Sequence, residues 1–61
     1  MDKSELKNEA ISKLEGYLKS GVAGLLQQAL DRVQAMGINT ERVSRNRQGA
    51  ENLLSHLVMW N

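Results

Sequence analysis

The sequence predicts an all-α protein, either a small bundle of three helices or a long helical hairpin, and three observations lead there. Proline and phenylalanine are absent while Leu, Ala, Glu, Gln, Lys and Arg abound, a composition that favours helix along almost the whole chain. Apolar residues recur at steps of three and four, the period of a helix face. Glycines punctuate that pattern at a few places.

The 61 residues read as one domain, 1–61, without internal repeat, low-complexity run or linker. A domain of this size buries only about 60% of the surface its unfolded chain exposes, so its stability is marginal. Disulfides, a structural metal or self-association reinforce such chains; with no cysteine and one histidine, homo-oligomerisation is the expected route. No apolar run approaches the roughly 20 residues that span a bilayer. The opening "MDKSELKNEA" also lacks the apolar stretch of a signal peptide. A soluble, cytoplasmic protein with no membrane partner is expected.

The first helix is expected from about Ser4 to Lys19, where Leu6, Ala10, Ile11, Leu14, Tyr17 and Leu18 form one stripe. Asp2 or Ser4 serves as its cap. All four lysines lie on it or beside it, interleaved with Glu5, Glu9 and Glu15, and Glu9 with Lys13 and Glu15 with Lys19 stand in the favourable i to i+4 order of a solvated face. "KSGVAG" follows, and Gly21 and Gly24 admit either a stop at Gly21 with a restart, the preferred reading, or a continuous helix with a small face.

Val22, Leu25, Leu26, Ala29, Leu30, Val33 and Met36 carry the second helix to Gly37, a residue suited to the left-handed conformation that closes a helix. Ile38 then folds back on the preceding turn. Asn39 or Thr40 is expected to cap the third helix, with Glu41 facing its positive end and Val43, Ala50, Leu53, Leu54, Leu57, Val58 and Trp60 as its apolar face. That face is interrupted near Asn46 and Arg47, where a polar and a charged residue occupy an expected apolar position.

All four arginines follow the lysines, and Arg42, Arg45 and Arg47 fall within thirteen residues, "GINTERVSRNRQG". Placed at a helix start, where backbone N–H groups are unpaired, they make a candidate anion site with Ser44 and Thr40, and phosphate suits guanidinium forks. The competing reading leaves them solvated or paired with acids such as Glu41 or a neighbour's Asp31. Enzymatic signatures are missing: there is no HExxH, GxSxG or Walker loop and no cysteine pair, so no catalytic residue, metal site or cofactor is expected. His56 reads as a boundary residue, and Met59 and Trp60 as core or subunit contact.

"SRNRQGAENLLSHLVMWN" resembles the second helix of the helical hairpin in phage anti-CBASS and anti-Thoeris sponge proteins, which sequester cyclic-nucleotide immune signals. Ser44 and Arg45 match the opening pair, Ala50 and Leu54 the middle, and Val58, Met59 and Trp60 the end. Gly49 departs from the pattern, which has a bulkier residue there. The resemblance implies a compact oligomer whose inter-subunit pockets hold a cyclic di- or trinucleotide through arginine and lysine without cleaving it, in the host cell cytoplasm.

"DRVQAMGINTERVSR" is similar to a DNA-binding helix-turn-helix, with Gly37 at the turn and Val43 six residues beyond it. On that alternative Thr40, Glu41, Ser44 and Arg45 face the major groove while Arg42 and Arg47 contact phosphates. A net charge of +1 is low for such binding. A helical protein–protein interaction module is the second alternative, since it requires no special residue.

Overall fold

The computed structural model describes residues 2–60 and contains three helices, α1 (Lys3–Ser20), α2 (Ala23–Ala35) and α3 (Arg47–Met59). No described helix is long and apolar enough to cross a membrane. Asp2 caps α1, its carboxylate accepting from the Glu5 N–H at 3.0 Å. Gly21 closes it in the left-handed conformation at φ 73°, its N–H donating to the Tyr17 carbonyl, so the expected break is real. Ser20 assists the turn by donating to the Gly16 carbonyl and accepting from the Val22 N–H.

Helix α2 ends as expected. Gly37 adopts φ 89°, its N–H donates to Gln34, and the Ile38 N–H reaches back to the Val33 carbonyl at 3.3 Å. Those two bonds define a Schellman closure, and they return Ile38 to the apolar side of the preceding turn. The start of α2 is less well finished, because Val22 occupies the cap position and offers no side-chain acceptor.

Both later helices run antiparallel to α1. Arg32 on α2 pairs with Glu9 on α1 at 3.0 Å, whereas a Cβ on Gly16 of α1 would lie 3.1 Å from Leu25 near the start of α2. Arg47 at the start of α3 donates to the Leu18 carbonyl near the end of α1, and Lys7 near its beginning donates to the Trp60 carbonyl. Glu9 therefore bonds across helices, to Arg32 in place of the expected Lys13. It follows that α2 and α3 are parallel to one another, and they scarcely meet, each packing on α1.

The core is continuous. Leu6, Ala10 and Leu14 come from α1, Leu26, Ala29, Leu30 and Val33 from α2, Met36 from its end, and Ala50, Leu53 and Leu57 from α3. One alanine of each helix, Ala10, Ala29 and Ala50, is fully buried, so the backbones approach with only a methyl group between them at those points. Trp60 and Tyr17 pack against this core from its edge. Val22, Val58 and Met59 are exposed, which corrects the expectation that Val22 and Val58 belong to buried stripes and leaves Met59, expected as core or subunit contact, outside the core.

The main correction concerns the third helix, which begins at Arg47 and not after Asn39 or Thr40. Asn39 accepts from the Glu41 N–H, and the Thr40 carbonyl accepts from Val43, but this makes one isolated turn. Asn46 is the true cap: its backbone is extended and its side chain accepts from the Gly49 N–H at 2.9 Å. The reason is geometric. Two parallel neighbours need a connection that travels the length of α2, about 20 Å for its 13 residues, and residues 36–46 are consumed by that crossover.

Candidate functional site

The crossover and α3 enclose a cleft of about 320 Å³ lined by Ile38, Asn39, Arg42, Val43, Ser44, Gln48, Gly49, Asn52, Leu53 and His56. Three features of local folding build it. The Schellman closure turns Ile38 inward, the isolated turn at Thr40–Val43 lifts Arg42 to the rim, and Gly49 lets the crossover backbone press on α3. A Cβ on Gly49 would overlap the Ser44 carbonyl oxygen and lie 2.7 Å from its carbonyl carbon, so only glycine permits this approach.

The floor is apolar, from Ile38, Val43 and Leu53, and the rim is polar. Gln48, Asn52 and His56 stand at successive four-residue steps on α3 and so project from one face. The Gln48 amide donates to the Asn52 side-chain oxygen at 3.1 Å, which leaves the Asn52 amide N–H groups free to face outward. Among the described residues no carboxylate lines the cleft. Among the described residues Arg42 takes part in no hydrogen bond or ion pair, so its guanidinium fork is unoccupied.

The residues expected to form one anion site are dispersed. Arg42 and Ser44 line the cleft. Arg45 lies on the other side of the crossover, donating to Gln27 of α2 and lining a second cleft of about 350 Å³ with Tyr17, Ala23, Gly24 and Leu26. Arg47 donates to the Leu18 carbonyl at 2.8 Å and sits 3.5 Å from Glu51, joining the end of α1 to the first turn of α3. Thr40 is buried, and its hydroxyl accepts from the Gln34 amide at 2.7 Å. It therefore fixes the crossover to α2 and faces neither cleft.

The expected arginine knot is thus corrected to a single arginine per cleft, with Arg47 in neither. On a helix, Arg42 and Arg45 would share a face at three-residue spacing; in an irregular crossover their directions are set independently. The same finding removes the helix that a major-groove reader requires, since Thr40, Glu41, Ser44 and Arg45 all precede α3. Sequence reasoning missed Gln48, Asn52 and His56 as site residues; their four-residue spacing was the available signal. No group of three or more His, Cys, Asp or Glu residues able to hold a metal occurs among the described residues.

No family model matches the chain, and neither a curated protein nor a solved structure is significantly similar to it.

Proposed function

We propose that the protein is a non-catalytic binding module that holds a small phosphorylated ligand of the nucleotide class in the cleft between the crossover and α3. One observation carries the reading: Arg42 stands unpaired at the rim of a concavity that contains no carboxylate. A free guanidinium fork pairs with two phosphate oxygens, the apolar floor suits the face of a planar ring, and the amides of Gln48 and Asn52 suit its polar edge.

A cleft of this volume matches one nucleotide unit. The sequestration of a cyclic di- or trinucleotide, implied by the resemblance of residues 44–61 to phage sponge proteins, is the specific form of the proposal; of the matched pair that opens that stretch, Ser44 lines this cleft and Arg45 lines the second. It calls for self-association, because one copy offers one free arginine at the cleft and a cyclic dinucleotide carries two phosphates. A DNA-binding reading has no recognition helix to rest on, since Thr40, Glu41, Ser44 and Arg45 precede α3.

Calorimetric titration with AMP, GMP and their cyclic dinucleotides tests the reading. Saturable binding of at least one, weakened by roughly 10- to 100-fold in Arg42→Gln, is expected from the about 1.5–3 kcal/mol of a charge-assisted hydrogen bond. Silence with all of them, or binding indifferent to Arg42→Gln, overturns it.

A further inference from the structure

We propose that the second cleft is a separate binding site for a small aromatic or branched monocarboxylate, anchored by Arg45. It lies where the end of α1, the first turns of α2 and the crossover converge, and Tyr17, Ala23, Gly24, Leu26, Gln27 and Arg45 line its about 350 Å³. No carboxylate is among them.

The guanidinium of Arg45 is oriented by Gln27, a residue of the same cleft whose amide in turn donates to Asp31. Its Nη1 donates to the Gln27 side-chain oxygen, which draws the group toward α2 and leaves the remaining N–H groups for a ligand. Two parallel guanidinium N–H groups match a carboxylate. The rest of the cleft is mainly apolar, with the half-buried Tyr17 and the exposed Ala23 providing surface for a hydrocarbon body, while Leu26 is buried in the core. The first cleft adds the side chains of Gln48, Asn52 and His56 to its arginine, whereas here the amide of Gln27 is engaged by Asp31 and the guanidinium is the one charged donor group left, which suits a single negative charge.

Gly24 supplies an independent indication. A Cβ at this position meets nothing within 4 Å, and its backbone is not left-handed, so neither packing nor conformation demands glycine. Glycine weakens a helix wherever alanine would fit. What its missing side chain does achieve is open space along the lining that it shares with Arg45.

Titration of the ¹⁵N-labelled full chain with indole-3-acetate, and with indole-3-acetamide as its neutral counterpart, tests the proposal. Saturable shifts are expected at the amides of Tyr17, Gly24, Leu26, Gln27 and Arg45, with affinity at least tenfold weaker for the amide ligand and in Arg45→Gln. Gly24→Leu fills the cleft and abolishes binding, with folding checked by circular dichroism, and Gly24→Ala, which a helix accepts readily, gives a smaller loss. Arg42→Gln leaves this binding unchanged, so failure here is distinguishable from failure at the first cleft. Absence of saturation, shifts centred on Arg42 and Asn52, or equal affinity for acid and amide overturns it.

Discussion

The carbonyl of Ser44 occupies the space that the Cβ of any residue other than glycine would need at position 49. This contact seats the crossover on α3 and thereby shapes the first cleft. The obstructing atoms belong to backbone, which cannot rotate away as the end of a flexible side chain can.

Replacement of Gly49 by alanine is therefore expected to destabilise the fold by about 1–3 kcal/mol, the scale of an overpacked site, despite alanine's better helix propensity. Urea unfolding should show a lowered midpoint, and ligand affinity at the first cleft should fall with it. An unchanged midpoint would place Ser44 elsewhere.

The opposite sign is expected at Gly24, where no neighbour obstructs a methyl group. Gly24→Ala should raise stability by about 0.5–1 kcal/mol, read as a higher thermal midpoint. The pair of substitutions separates two glycines of adjacent helices by function: one is required for packing, the other is not.

Asn46→Ala removes the acceptor for the Gly49 N–H and should cost about 1 kcal/mol, while Asn46→Asp retains the cap and should recover most of it. Thermal unfolding of the two variants checks this. A helix that began at Thr40 would make Asn46 an interior residue and the two substitutions would not differ in this way.

Leu14, Leu30 and Leu57 are the largest fully buried side chains, one from each helix. Truncating any of them to alanine should cost about 2–5 kcal/mol, comparable with the whole stability of a domain this small. Loss of the cooperative thermal transition is the expected readout.

Arg47→Ala should leave binding at both clefts unchanged, since the guanidinium is engaged by the Leu18 carbonyl and Glu51. The ion pair is largely exposed and contributes at most about 1 kcal/mol after solvent screening. A large loss of ligand affinity in this variant would restore the arginine cluster as a unit.

Helices α1 and α2 were legible because their information is local: apolar residues at helical spacing, with Gly21 and Gly37 at the points where the chain must turn left-handed. The start of α3 was not, because Val43 stands seven residues before Ala50 and so continues the helical spacing of the α3 face. What forbids helix there is that α2 and α3 flank α1 in the same direction, a relationship visible only after packing. The interrupted stripe at Asn46 and Arg47 was its one trace in the sequence, and Asn46 proves to be the cap. At the site, nearness along the chain overstated nearness in space for the arginines. The polar row Gln48, Asn52 and His56 was readable by its period, yet each member resembles an ordinary solvated residue.

Since α1 touches both other helices while those two hardly touch each other, α3 is joined to the other helices almost wholly through α1. Slow amide exchange should concentrate in α1 and α2, with α3 opening as a leaf at lower free energy than global unfolding. Whatever occupies the cleft beside α3 would then clamp that leaf shut, so occupancy would be recorded in protection of amides far from the contact itself.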